Sequence, residues 1–139
     1  MELNEVELSD LDDVASKILK SVGDYRTMMF FGEMGVGKTT LILKIIEQLG
    51  AEEAGSSPTF SIVNEYSAGN GSPIYHFDFY RIESEEEIYD IGYEEYFFSG
   101  NFCMVEWPEK MGTLYPDEAV EIKLERQGER RSIKVNLPS

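Results

Sequence analysis

Apolar positions along the chain follow first a helical and then a strand-like spacing. Leu11, Val14, Ala15, Ile18, Leu19 and Val22 recur at i, i+3, i+4 and i+7. That period predicts a helix from Ser9, a potential N-cap, to about Val22, with one stripe facing a core. Residues 26–31 (RTMMFF) form a short apolar run that stops at Gly32, as a buried strand would. From Lys38 the helical period returns through Leu41, Ile42, Ile45, Ile46 and Leu49, and Gly50 stands where that helix should end. Residues 51–59 (AEEAGSSPT) read as loop. Residues 60–66 and 73–81 read as strands joined by the turn SAGNGS, a hairpin. A short acidic helix is expected near residues 84–91, and residues 102–105 read as another buried strand running into Glu106 and Trp107. In the tail Val120, Ile122 and Leu124, then Ile133, Val135 and Leu137, alternate on either side of Gly128, which predicts a closing hairpin. The order of elements predicts an α/β fold with a central mixed sheet flanked by helices. At 139 residues, without repeat or linker, it predicts a single domain over 1–139.

Charge changes this picture more than composition does. Hydrophobic residues at 42% suit a globular chain. The 27 acidic and 12 basic side chains leave a net charge of −15. Such a surface repels phosphate backbones and offers little counterion release, so direct nucleic-acid binding is not expected and any role with nucleic acid should be indirect. Residues 82–100 carry seven acids (Glu83, Glu85, Glu86, Glu87, Asp90, Glu94, Glu95) and no base, either a solvated helix face or a docking surface for a basic partner. No apolar run approaches the roughly 20 residues that cross a bilayer, so no membrane association is expected. The acidic N-terminus lacks the features of a signal peptide, and Cys103 has no second cysteine, which together predict a reduced, cytoplasmic setting.

The pattern G-x-x-x-x-G-K-[ST] is met at Gly32, Gly37, Lys38 and Thr39, between an apolar strand and an amphipathic helix. Gly32, Gly35 and Gly37 allow a loop whose N–H groups close around phosphate oxygens. The helix opening at Lys38 points its positive end at the same anion. Lys38 should reach the β- and γ-phosphates and the Thr39 hydroxyl should ligate Mg²⁺. The chain thus reads as a P-loop NTPase.

Such a site also needs a carboxylate near the metal, and two positions compete. Glu106 ends the run Phe-Cys-Met-Val, in the form of a Walker B element. Asp78 lies within Tyr-His-Phe-Asp-Phe-Tyr, where burying an unpartnered acid would be costly. One would serve the metal and the other the attacking water. Ser57, Pro58 and Thr59 lie where a γ-phosphate switch is often found, or they cap a turn. His76 reads as a satisfied strand residue before a catalytic base. Trp107 is either core or an aromatic edge of the nucleotide site.

The segments GEMGVGKTT, SSPTFSIVNEY, IYHFDFYR, IGYEEYF and VEWPEK occur in this order across residues 31–110. Together they resemble the bacterial TsaE (YjeE) ATPases, which assist threonylcarbamoyladenosine modification of tRNA. Val36 stands where that family often has alanine, and the termini match in pattern only. The resemblance implies slow ATP hydrolysis and action with two partners, TsaB and TsaD. TsaD performs the transfer to adenosine 37, and tRNA is met through the partners. On matching positions it implies Mg²⁺ at Thr39 and Glu106, and phosphates at Gly35, Val36, Gly37, Lys38, Thr39 and Thr40. It implies functional roles for Asp78, Thr59 and Trp107, and adenine near residues 9–11, including Ser9.

Two other readings use the same loop. A small-molecule kinase would need a basic lid. The arginines, Arg26, Arg81, Arg126, Arg130 and Arg131, form none between the Walker elements, and none is obviously placed to neutralise a transferring phosphoryl group. A nucleotide-gated assembly factor would bind without needing turnover. The lack of an Asn-Lys-x-Asp segment counts against a GTPase.

Overall fold

The structure is a computed structural model that describes residues 1–52 and 62–138. Its strands are β1 (Glu2–Val6), β2 (Thr27–Phe31), β3 (Val63–Ser67), β4 (Pro73–Asp78), β5 (Cys103–Glu106), β6 (Val120–Gln127) and β7 (Arg130–Asn136). Its α-helices are α1 (Leu11–Ser21), α2 (Lys38–Gln48), α3 (Glu85–Asp90) and α4 (Tyr93–Phe97). The strands form one sheet in the order β1-β7-β6-β2-β5-β4-β3. Pairs β2–β5, β2–β6 and β4–β5 are parallel, while β1–β7, β3–β4 and β6–β7 are antiparallel. The expected mixed sheet and both expected hairpins are present.

Alternation along β2 divides the core. Met28 and Phe30 join Ile18, Ile42, Ile46 and Ile122 on the face covered by α1 and α2. Met29 turns the other way, to Phe77, Phe79, Ile88 and Val105 beneath α3, α4 and the 3₁₀ segment Pro108–Leu114. A period of two applied to a run of large side chains demands this double burial. The stripe of α1 (Leu11, Val14, Ala15, Ile18) and that of α2 (Leu41, Ile42, Ile45, Ile46) are buried as their spacing requires.

Several details differ from the sequence pattern. Ser9 does not cap α1; it lies inside a 3₁₀ turn, Leu8–Asp10, which Glu7 and Asp10 close reciprocally. The exposed acid-rich segment before it is strand β1, whose hydrogen bonds come from β7. Its register shifts between Leu3 and Val6, which erases the alternation that would have marked it. Helix α4 follows Gly92, which holds φ 76°. The strand expected over 73–81 ends at Asp78, which is exposed, so the cost of burying that acid does not arise. Residues 53–61, with Thr59, lie outside the described residues.

The acid run is partly structural. Glu87 accepts from the backbone N–H groups of Glu83 and Ser84, as the far half of a capping box on α3. Glu85 accepts from the backbone N–H and the hydroxyl of Thr113, tying α3 to the 3₁₀ segment. Charge reversal at Glu85 or Glu87 would therefore disturb the fold as well as any docking face, and exposed Glu86 is the cleaner probe.

Candidate functional site

Strand β2 delivers the chain to the phosphate loop at the carboxyl edge of the parallel strands, the side on which open α/β sheets bind ligands. Gly32 holds φ 152°, and a Cβ there would lie 2.8 Å from both the Leu124 carbonyl oxygen and Val36 Cγ1. No other residue fits so close to β6. Gly37, at φ 110°, is the N-cap of α2, and its carbonyl accepts the first helical bond, from Leu41 at 2.9 Å. The N–H groups of Lys38, Thr39 and Thr40 therefore open the helix without intrahelical partners, which is what makes such an end receptive to an anion. Gly35 and Thr40 are exposed, whereas Val36 is anchored in the core beneath the loop.

The carboxylate comes from β5. Parallel register sets Glu106 beside Phe30 of β2 on one side and Asp78 of β4 on the other. Glu106 is buried, at 4% exposure. Its Oε1 accepts from the Thr39 hydroxyl at 2.7 Å, and its Oε2 lies 2.7 Å from His76 Nε2. Burial by itself pushes the Glu106 carboxyl up. The bond and electrostatics of His76, the Thr39 hydroxyl and the Lys38 ammonium outweigh it and hold the group below the ordinary carboxylate range. His76 and Asp78 are two residues apart on β4, so they share the face that looks toward α2. Asp78 stays in solvent, accepts from the Tyr80 N–H at 3.0 Å, and is kept beside β5 by the Phe79 N–H bond to the Glu106 carbonyl at 3.1 Å.

Lys38 is 5% exposed. Its ammonium donates to the Gly32 carbonyl and lies 3.5 Å from the centroid of the Trp107 ring. Desolvation lowers its pKa, opposed by Glu106, Glu109 and Asp78. Trp107 reaches that position through a left-handed backbone, φ 58° and ψ 48°, uncommon for a bulky residue and followed at once by Pro108. Its ring also packs 5.2 Å from that of Tyr80. Trp107 thus packs against the core cluster of Phe77, Phe79 and Val105 with part of its surface and covers the Lys38 ammonium with its ring. Leu8, beside Ser9, brings the N-terminal 3₁₀ turn to the loop: its Cδ2 is 3.8 Å from the position of a Cβ on Gly37. Ser9 itself is exposed.

The pair of hard oxygen donors, the Thr39 hydroxyl and the Glu106 carboxylate, fits Mg²⁺, which takes few protein ligands and keeps several waters. Among the described residues there is no group of three or more His, Cys, Asp or Glu that would cage a metal without a second ligand source.

A protein-family model described as threonylcarbamoyl adenosine biosynthesis protein TsaE matches residues 6–133. The chain belongs to the TsaE family. A tRNA threonylcarbamoyladenosine biosynthesis protein TsaE of Bacillus subtilis is 40% identical over 107 residues, covering 77% of this chain and 65% of that protein. This chain thus matches just under two thirds of that relative's length. The Haemophilus influenzae TsaE is 31% identical over 122 residues, 86% of this chain and 77% of that one. The crystal structure of Bacillus subtilis YdiB superposes with a TM-score of 0.78 at 26% identity, over 100% of this chain and 86% of that one. The TsaE family and these two TsaE relatives are described as proteins of threonylcarbamoyladenosine biosynthesis. No helix among the described residues is long and apolar enough to cross a membrane.

Two contacts at the candidate site escaped the sequence pattern. The His76–Glu106 bond depends on strand register. Arg131, which donates to the phosphate loop at Val36, was in principle visible, because it falls in phase with Ile133 and Val135 on β7.

Proposed function

We propose that the chain is a cytoplasmic ATP hydrolase that supports threonylcarbamoyl transfer to adenosine 37 of tRNAs, acting on the TsaB–TsaD transferase and meeting tRNA only through those partners. The observation that carries this reading is the 2.7 Å bond from the first hydroxyl of the phosphate-loop helix, Thr39, to the strand-end acid Glu106. A helix cap of purely structural use has no need of a buried carboxylate from another strand.

The backbone N–H groups from Gly35 to Thr40, including those of Val36 and Gly37, hold the phosphates. Lys38 exchanges the Gly32 carbonyl and the Trp107 face for the β- and γ-phosphate oxygens. Thr39 and Glu106 would hold Mg²⁺, which would supply neutralisation of developing phosphate charge. Asp78, exposed beside Glu106, orients a water; that water forms a bond to the γ-phosphorus as the bond to the β–γ bridging oxygen breaks, releasing ADP and phosphate. The 3₁₀ turn with Ser9 lies toward the adenine, and Thr59 senses the γ-phosphate.

The test is reconstitution with TsaB, TsaD, tRNA and an activated threonylcarbamoyl donor under multiple-turnover conditions. Addition of the chain with ATP should raise the number of modified tRNAs per transferase, and Lys38→Ala should not. Equal yields with and without the chain would overturn the proposal.

A further inference from the structure

On the flank of the phosphate loop opposite Glu106 lies a buried charge that no step above uses. Arg131 occupies the second position of β7, and alternation with Ile133 and Val135 turns it inward. It is 5% exposed. Its Nε donates to the Val36 carbonyl at 2.5 Å and its Nη1 to the Glu129 carbonyl at 3.2 Å. A Cβ on Gly37 would stand 3.6 Å from the same Nε, so the guanidinium lies against the last turn of the loop. Among the described residues no carboxylate pairs with it, although its neighbour Arg130 faces Glu5 and Glu7. A desolvated guanidinium without a counter-ion is costly, and acids are abundant in a chain of net charge −15.

We propose that Arg131 is a positioning residue of the phosphate loop, whose missing counter-charge is supplied by the phosphates of bound nucleotide. This rests on the nucleotide-binding reading above. The peptide plane gives the mechanism. In a trans peptide the carbonyl of Val36 and the N–H of Gly37 point to opposite sides. Drawing the carbonyl toward β7 therefore turns the Gly37 N–H away from β7, toward the concave side that receives a phosphate oxygen. Without that tether the plane is free to rotate, and a carbonyl oxygen would then face the anion. The positive charge behind the loop adds attraction that reaches the phosphates through little water.

The test compares the full chain with Arg131→Lys, Arg131→Gln and Arg131→Met, titrated calorimetrically with Mg-ADP and Mg-ATP at low and high KCl. Unliganded Tm and hydrolysis at saturating ATP are measured alongside. Arg131→Met should lose at least ~10-fold in affinity for both nucleotides, the scale of a hydrogen bond to a charged group. Its salt dependence should flatten, and kcat at saturation should stay within about threefold, so the loss falls on KM. Arg131→Lys, which keeps the charge, should recover most of the affinity, and Arg131→Gln, which keeps only a donor, little of it. A purely structural role would lower Tm without changing the salt dependence or separating Lys from Gln. A folded Met variant binding within about twofold of the original, or Gln recovering as well as Lys, would overturn the inference. Should the Met variant not fold, the Lys–Gln pair decides. Absence of nucleotide binding by the unsubstituted chain would sink the nucleotide reading itself, a distinct result.

Discussion

The two flanks of the phosphate loop hold a buried charge each, and they do so by different means. Toward β5 and β4, Glu106 is 4% exposed and its carboxylate is engaged by Thr39 and His76. Toward β7, Arg131 is 5% exposed and engages two backbone carbonyls and no acid. Burial is equal and the partner sets are not. A carboxylate with specific donors on both oxygens is poised, its geometry settled by the fold. A guanidinium left with carbonyl dipoles keeps unspent attraction for an anion. The comparison shows that the degree of burial does not reveal what a charge is for, whereas its list of partners does.

The strongest challenge to this comparison falls where the flanks meet, at Lys38. Lys38→Ala should lower phosphate release by at least ~10²-fold, the scale of a single electrostatic stabiliser of a transition state. Its ammonium is covered by Trp107 and tied to Gly32, so the substitution also removes a packed contact, and circular dichroism must show the variant folded. An unchanged rate in a folded variant would remove the reason for treating either flank as functional.

A smaller effect separates the two acids of the first flank. Glu106→Ala should reduce the gain in ATP affinity on adding Mg²⁺ by roughly 10-fold, as loss of a charged ligand implies. Asp78→Asn should leave that gain intact and slow turnover, since Asp78 is exposed and bonded only locally. Titrations with and without Mg²⁺ distinguish the outcomes, and the reverse pattern would assign the metal to Asp78.

The partner set itself is sharpened by His76→Gln. Both members of the 2.7 Å pair are buried, so the variant should lose about 1–3 kcal/mol of unfolding free energy in urea, the range for a buried bond to a charged group. No loss would mean that Thr39 alone suffices to hold Glu106. The smallest effect concerns the opposite face of the same strand. Burial pushes the Cys103 thiol up to about 12. At pH 8 roughly one thiol in ten thousand is then ionised, so alkylation followed by mass spectrometry should label the protein only after unfolding. Ready labelling of the native protein would show that β5 is less closed than its burial implies.

The amino-acid sequence determined by itself whatever depends on near neighbours. The stripes of α1 and α2 follow from a period of 3.6, and both hairpins follow from alternation about short turns. The phosphate loop was legible because its glycines, Lys38 and Thr39 lie within eight consecutive residues. Strand β1 was not, because its hydrogen bonds are with β7 and its alternation is broken by the register shift. Glu106, at the end of an apolar run, and Asp78, set between aromatic residues, both remained candidates in the sequence. Parallel register put them side by side, and the bonds to Thr39 and His76 distinguished them. Those bonds span 67 and 30 residues, and the tether from Arg131 to Val36 spans 95. Local periodicity says that a side chain turns inward. Which strand lies opposite, and so which charge it meets, is decided only when the whole sheet has closed around β2, because register is set by the sum of its pairings.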